Sequence, residues 1–230
     1  MRRVSGPRGP PLSATIAVMI RYQRSLRVFA VCLSALAGYV DAVGFLALGG
    51  FFISFMSGNS TRLAVGLANA SQAAVLAGGL IASFVAGVVL GTLVGRRVSR
   101  RRPVVILGLV SGLLALASVS AALGCQPVAV GLMAMAMGAE NTLFEREGEV
   151  SIGLTYMTGA LVKLGQRLAA ALSGGDRWGW APYLLLWAGL VCGAVAGALC
   201  YPHLGLQALW LAVAAALVLA LVGARLDLAA

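Results

Sequence analysis

The sequence predicts an all-α membrane protein, a polytopic bundle of about six full spans with two further segments that are broken or re-entrant. Of its 230 residues, 60% are hydrophobic and only 10% are charged, whereas a soluble domain is about 45–50% apolar and about 25% charged. Apolar segments follow one another along the chain, and most approach the roughly 20 residues that cross about 30 Å of hydrocarbon. Arginines cluster between these segments, as they do in membrane proteins.

Eight apolar segments define the predicted elements. They are too long, and too rich in Ala, Leu and Gly, to be membrane strands. Together they form one transmembrane domain over residues 26–224, and we expect residues 1–25 to be a basic cytoplasmic tail, disordered or interfacial. In order they are Leu26–Leu48, Phe51–Ala68, Ala73–Val94, Val104–Leu123, Val128–Phe144, Ile152–Leu172, Tyr183–Tyr201 and Leu204–Val222.

The net charge of +10 is concentrated in two short stretches. Six arginines lie in residues 1–27 and five more in residues 96–102. Such clusters stay on the cytoplasmic side and attract anionic lipid. We therefore expect a bacterial inner-membrane protein with both termini in the cytoplasm and membrane lipids as partners. Little soluble domain remains to bind nucleic acid, which we exclude.

The second segment, Phe51–Ala68, is the weakest candidate for a full crossing. If both arginine clusters lie on one side, an even number of crossings separates them, yet three apolar segments lie between them. Polar, Gly-broken backbone at membrane depth is tolerated where protein or a wet cavity shelters it. A re-entrant or broken helix is therefore predicted, the alternative being a complete, kinked helix in an unusual topology. Its polar residues are Ser54, Ser57, Gly58, Asn59, Ser60, Thr61 and Arg62.

The second half of the chain echoes the first. Residues 55–63 read Phe-Met-Ser-Gly-Asn-Ser-Thr-Arg-Leu, and residues 156–164 read Tyr-Met-Thr-Gly-Ala-Leu-Val-Lys-Leu. Residues 38–41 (Gly-Tyr-Val-Asp) likewise parallel residues 138–141 (Gly-Ala-Glu-Asn). Internal repeats are common in transporters. If the sixth segment is also re-entrant, each half crosses three times, and the halves (about 26–124 and 127–224) are inverted. The alternative is a chance likeness between low-complexity apolar helices.

Polar residues inside apolar segments are the candidate site residues, because an ion at mid-membrane costs several kcal/mol unless it is paired or hydrated. Asn59 and Asn141 can bridge helices or line a polar path. Backbone N–H groups of a broken helix, beside a basic side chain, suit an anion. As alternatives, Asp41 neutralises Arg62 or Lys163, or these two basic side chains extend to the interface. The predicted transport path comprises Asp41, Asn59, Glu140, Asn141, Arg62, Lys163, Ser57, Gly58, Thr158 and Gly159.

Catalytic and metal-binding signatures are absent from the sequence. It has no nucleophile elbow, Walker loop, dinucleotide fingerprint or zinc-protease motif. The four cysteines form no C-x-x-C pair, and His203 is the single histidine, so we predict no metal site. No catalytic residue and no cofactor is expected, and an embedded enzyme is disfavoured.

These motifs resemble those of a known family. Residues 38–42 (Gly-Tyr-Val-Asp-Ala) and 55–59 (Phe-Met-Ser-Gly-Asn) are similar to elements of the YoaK family of bacterial membrane proteins, a domain of unknown function. Its second-half elements match Gly138 to Asn141 and Thr158-Gly159. The resemblance covers roughly residues 26–224 and implies an inner-membrane protein of six or so helices, without a substrate. Ser57 replaces the family's usual Thr, and Glu140 replaces its usual Gln.

Two functional hypotheses follow from these patterns. The first is a small secondary transporter or permease for a small solute, for which the basic residues favour an anion, with the site where the two broken segments meet. Asp41 or Glu140 would carry a coupling proton. The second is a non-transporting scaffold, or a lipid-binding or assembly protein, whose polar groups pair internally. The sequence sets no oligomeric state.

Overall fold

The computed structural model describes residues 12–98, 101–146, 149–150, 155 and 157–225, and in this part of the chain it is almost wholly helical. A 3₁₀ turn at Gly205–Ala208 joins the last two helices. Two-residue strands β1 (Glu145–Arg146) and β2 (Glu149–Val150) pair antiparallel. The predicted all-α membrane bundle is confirmed. Its helices are α1 Leu12–Ala47, α2 Met56–Ala68, α3 Gln72–Arg97, α4 Arg102–Ala122, α5 Gln126–Asn141, α6 Met157–Leu172, α7 Ala181–Leu204 and α8 Leu209–Arg225.

Four stretches of the described chain are long and apolar enough to cross a membrane. The last of them contains both α7 and α8. By contrast, α2, α5 and α6 have only 13, 16 and 16 residues, fewer than the roughly 20 that a full crossing needs. The four stretches are Arg24–Ala47, Gln72–Arg97, Arg102–Ala122 and Ala181–Arg225.

Element boundaries differ from the predicted segments at three places. Helix α1 begins at Leu12, inside the predicted tail, and residues 1–11 lie outside the described residues. The segment Phe51–Ala68 is not one helix, because backbone without helical structure precedes α2. The segment Ile152–Leu172 becomes helical at Met157, and residues 152–154 are also outside the described chain.

Glycines bring two pairs of helices into close contact. Gly193 and Gly197 of α7 lie against the backbone of Ala35 and Tyr39 in α1. In the same way, Gly87 and Gly91 of α3 lie against Met135 and Ala139 in α5. A Cβ added at any of the four glycines would overlap the neighbouring helix, so these small-xxx-small pairs allow the helices to pack closely. In both pairs the contacts advance together, so α1 is parallel to α7 and α3 to α5.

The other contacts set the remaining helix directions. The rings of Phe29 and Phe144 are 6.4 Å apart, and Gln126 donates to the Ala47 carbonyl at 3.2 Å, so α1 and α5 are antiparallel. Arg102 donates to the Thr142 carbonyl at 2.8 Å, so α4 is antiparallel to α5. Gln207, just before α8, donates to the carbonyl of Ser118 near the end of α4.

All these directions place the starts of α1, α4 and α7, and the ends of α3, α5 and α8, at one end of the bundle. We call it the basic end. Buried apolar side chains of α1, α4, α5 and α8 fill the interior, among them Leu33, Ile106, Met133 and Leu209. The basic end carries Arg24, Arg27, Arg96, Arg97, Arg101, Arg102, Arg177 and Arg225.

The short helix α2 folds back along α3. Gly66 lies against Ala74, and Gly78 lies near the side chain of Leu63, so the two helices are antiparallel. The chain leaves α1 away from the basic end, turns inward through residues 48–55, and returns along α2. Both ends of this segment therefore lie at the end of the bundle opposite the basic end.

Candidate functional site

Asp41 anchors the inward-turning loop between α1 and α2. Its Oδ1 atom accepts hydrogen bonds from the backbone N–H groups of Ile53 and Ser54, both at 2.7 Å. It lies almost two turns before the end of α1, so the loop reaches back into the bundle to meet it. A carboxylate that accepts backbone N–H bonds satisfies donors that would otherwise be costly at membrane depth.

Asn59 holds the same loop from the other side. Its side-chain amide donates to the Phe52 carbonyl at 2.6 Å and accepts the Phe52 N–H at 3.1 Å. The side chain is fully buried. Both polar backbone groups of Phe52 are therefore satisfied by one asparagine side chain, which ties the loop to the start of its own helix.

A related arrangement occurs in the second half. Asn141, at the end of α5, accepts the Thr155 hydroxyl at 3.1 Å and donates to the Met137 carbonyl at 2.9 Å. Thr155 stands two residues before the start of α6, just as Ser54 stands two residues before the start of α2. In both places the residue's carbonyl accepts the N–H of the first helical methionine. Asp41 and Asn141 thus each accept a hydrogen bond from the residue two positions before a helical methionine, although Asp41 lies inside α1 and Asn141 ends α5.

The two helix starts meet around a shared cavity of about 340 Å³. Because it is lined from both halves of the chain, the structure brings together the two segments that the sequence analysis singled out. Of the predicted site residues, Ser57, Thr158 and Gly159 line it, and all three are exposed in the isolated chain. The full lining is Ser54, Phe55, Met56, Ser57, Phe84, Thr155, Met157, Thr158 and Gly159.

The two predicted basic residues lie away from this cavity. The guanidinium of Arg62 stacks 4.8 Å from the centre of the Phe51 ring, and the amine of Lys163 lies 5.9 Å from that of Tyr183. Neither appears in the cavity wall. Asp41 is bonded to the loop amides, so the alternative in which it neutralises Arg62 or Lys163 is not what the described side chains show.

Glu140 is the second buried carboxyl group. It is fully buried, and neither oxygen has a hydrogen-bond partner within the described structure. It precedes Asn141 on α5, close to the cavity but not in its wall. A buried acid without a partner carries a desolvation cost. Gly58 is also behind the wall, where a Cβ would lie 2.7 Å from the Phe55 ring.

Six of the nine cavity residues were not predicted as site residues. Phe55, Met56 and Met157 lie in the repeated motifs, and the others are Ser54, Phe84 and Thr155. Ser54 and Thr155 could have been found, since each stands two positions before the methionine of a repeated motif. Phe84 had no such signal, because it is one of many apolar residues in α3 and reaches the cavity through helix packing.

The cavity wall combines hydroxyl groups with helix N-termini. Four hydroxyl residues (Ser54, Ser57, Thr155, Thr158) share it with apolar side chains. Helix α2 has no side-chain cap, so N–H groups of its first turn are available as donors. Two helix starts facing one space favour a negatively charged or strongly polar group. The lining contains no acidic side chain that would oppose an anion.

Comparisons with known proteins agree with the motif resemblance. Residues 29–222 match the model of a family described as "Protein of unknown function (DUF1275)". A UPF0700 transmembrane protein of Rhizobium meliloti (strain 1021) is 39% identical over 187 residues, which cover 81% of this chain and 81% of that protein. No solved structure matches the chain. The predicted family resemblance is confirmed.

Proposed function

This chain belongs to the DUF1275 family of proteins of unknown function and is an integral membrane protein, and on that premise we propose that it is a small secondary transporter of the bacterial inner membrane. Its substrate is a small solute, and an anion fits the site best. The observation that carries the proposal is the cavity of about 340 Å³ between the starts of α2 and α6. Broken helices that aim their N-termini at one central site are a recurring transporter design.

Repeated packing supports an inverted-repeat architecture. Gly87 contacts Met135, and Gly193 contacts Ala35. The two contacts correspond, because Gly193 lies about 100 residues after Gly87 and Ala35 lies about 100 residues before Met135. Because α1 and α5 are antiparallel, the operation that relates these contacts reverses the helix direction. We infer three crossings in each half, with α2 and α6 as half-helices and with α5 crossing together with the turn of residues 142–144 that follows it. Inverted halves allow a fixed site to open alternately to either side.

Charge asymmetry supports the orientation. Basic residues at the starts of α1, α4 and α7 and the ends of α3 and α8 share one end of the bundle. Such an excess of arginine is typical of the cytoplasmic side. We infer that both termini lie there, and that the α1–α2 loop enters from the periplasmic side.

The described residues divide into three roles in this mechanism. Ser57 and Thr158 would contact the solute, since their hydroxyls can donate to an anion. Asp41 and Asn141 would position the two loops through Ser54 and Thr155. Glu140 would carry a coupling proton, because it is buried without a partner beside the second loop.

Transport is tested with proteoliposomes on a solid-supported membrane, by recording currents after jumps of chloride, nitrate, formate or phosphate under an imposed pH gradient. A leucine at Gly159 enters the cavity, and nothing lies within 4 Å of its Cβ position. Gly79→Leu is the matched control, since its Cβ also meets open space, away from the cavity wall. We expect a current with at least one anion that Gly159→Leu abolishes and Gly79→Leu retains. Equal currents in the two variants contradict the proposed site.

The second candidate is a non-transporting scaffold, and one observation favours it. The polar side chains of Asp41, Asn59 and Asn141 are all satisfied within the protein. In that case no aqueous route leads to the cavity. Cysteine variants at Ser57 and Thr158, in a background whose native cysteines are replaced by alanine, decide between the two. Labelling by a water-soluble maleimide supports transport, and its absence from both sides supports the scaffold.

A further inference from the structure

A second cavity, of about 540 Å³, lies at the basic end between residues 27–31 of α1, the first turns of α7 and the C-terminal half of α6. It shares no residue with the cavity between the broken segments. Arg27 comes from α1 and Arg167 from α6, and both line its mouth. Asp176 is the one acidic residue in the wall, and its Oδ1 accepts the Trp178 N–H at 3.0 Å.

The wall of this cavity changes from charged to apolar with depth. Going inward along α1 from Arg27, the next wall residues are Ala30 and Val31. Leu186 takes the corresponding place on α7, one turn inward from Tyr183. The two helices are tied at this level by a hydrogen bond from the Ser34 hydroxyl to the Leu186 carbonyl at 3.1 Å. The space is therefore cationic at the membrane surface and apolar toward the bilayer.

Aromatic side chains mark the membrane surface here. Trp178, which is 71% exposed, and Tyr183 line the cavity. Trp178 packs on Trp180 with ring centres 5.8 Å apart. Lys163 adds a further positive charge above the Tyr183 ring. Tryptophan and tyrosine favour the headgroup level of a bilayer, so the arginines of this cavity lie where lipid phosphates lie.

We propose that this cavity binds one anionic phospholipid, with its phosphate between Arg27 and Arg167 and an acyl chain along Ala30, Val31 and Leu186. Within the described chain, neither guanidinium is engaged in a hydrogen bond or an ion pair, so both are available to the phosphate. Guanidinium groups bind phosphate through charge-assisted, often bidentate, hydrogen bonds. Basic pockets between helices on the cytoplasmic side are typical headgroup sites. The inference is independent of transport.

Native mass spectrometry of the full chain in detergent tests the site by titration with phosphatidylglycerol or phosphatidylcholine. We expect the wild type to bind one phosphatidylglycerol at least about tenfold more tightly than phosphatidylcholine. Loss of each arginine, in Arg27→Gln and Arg167→Gln, should weaken phosphatidylglycerol binding about fivefold. The matched control is the pair Arg177→Gln and Arg225→Gln, two arginines at the same end that lie outside the cavity wall, and it should change binding less than about twofold.

Two outcomes overturn the proposal. If Arg177→Gln and Arg225→Gln weaken binding as much as Arg27→Gln and Arg167→Gln do, the basic end attracts anionic lipid in general and has no specific site. Glycerol phosphate, which carries the headgroup without acyl chains, is the third titrant. If it displaces phosphatidylglycerol at a comparable concentration, the cavity is a free-anion site and the apolar wall contributes nothing. If displacement needs a glycerol phosphate concentration at least about a hundredfold above that of phosphatidylglycerol, as the loss of buried acyl chain predicts, the lipid assignment holds.

Discussion

The carboxylate of Asp41 accepts the backbone N–H of Ser54 at 2.7 Å, and this bond joins the interior of α1 to the wall of the central cavity. Ser54 lines that cavity, whereas Asp41 lies behind it. An acidic residue that the sequence analysis assigned to a transport path is thus one step removed from the space where a solute would lie. In this structure Asp41 holds the loop between α1 and α2.

Removing the Asp41 carboxylate should destabilise the protein. Asp41→Ala leaves the N–H groups of Ile53 and Ser54 without their acceptor, and we expect a loss of about 3 kcal/mol in the free energy of unfolding. Asp41→Asn keeps an oxygen at that position and should lose about half as much. Asp176→Asn, an exposed carboxylate, is the control. Unfolding in detergent followed by tryptophan fluorescence measures all three, and an Asp41→Ala variant as stable as the control contradicts the anchoring role.

Replacing Glu140 should have the opposite effect on the stability of the protein. Its carboxyl oxygens are buried without partners, so Glu140→Gln or Glu140→Met should raise the unfolding free energy by about 1–3 kcal/mol. If Glu140 carries the coupling proton, the same variants should also lose any anion current that depends on a pH gradient. The same unfolding assay and the proteoliposome currents are the readouts. A strongly destabilised Glu140→Met would indicate an interaction that the burial pattern does not reveal.

Glycine packing predicts that glycine-to-alanine substitutions destabilise the two parallel helix pairs, α3 with α5 and α1 with α7, to a similar extent. Alanine at Gly87 or Gly193 would overlap the backbone of Met135 or Ala35, and we expect each variant to lose at least about 2 kcal/mol. Gly108→Ala provides the control in α4, because nothing lies within 4 Å of its Cβ position. That variant should be neutral or stabilised by up to about 1 kcal/mol. Thermal melting in detergent compares them, and tolerance at only one of the two sites would break the proposed equivalence.

Topology is testable with single cysteines in the cysteine-free background. Leu48→Cys and Asn69→Cys flank the re-entrant segment, so both should react in intact cells with a maleimide that cannot cross the inner membrane. Arg101→Cys, at the basic end, should react only after the membrane is opened. If α2 crossed the membrane instead, residues 48 and 69 would fall on opposite sides and only one would react.

Sequence patterns predicted the architecture of the bundle more completely than they predicted which residues contact one another. Hydropathy and arginine placement indicated a broken second segment, and the repeated Met-Ser-Gly and Met-Thr-Gly motifs indicated that two such segments are related. These signals are local or periodic, so they can be read from one chain. The cavity indeed contains Ser57 and Thr158.

Partners of the polar side chains could not be predicted in this way. Asp41 bonds to backbone amides of residues 12 and 13 positions away, and every residue type offers the same amide. Only the path of the loop selects which amides they are. Arg62 likewise stacks on the Phe51 ring. Whether an arginine contacts an aromatic ring or a carboxylate depends on the direction of its side chain, which the sequence does not give.

Close contact between α1 and α7 constrains the order of events during synthesis. The hydrogen bond from Ser34 to the Leu186 carbonyl spans 152 residues, and Gly193 seats against α1 only after most of the chain has been made. Helix α1 therefore enters the bilayer long before its partner α7 has been made, whereas α3 pairs with the nearer α5. Neither half forms a hydrophobic core of its own. A chain that stops after α5 therefore leaves the surface of α1 that packs on α7 uncovered, and quality-control proteases can act on it.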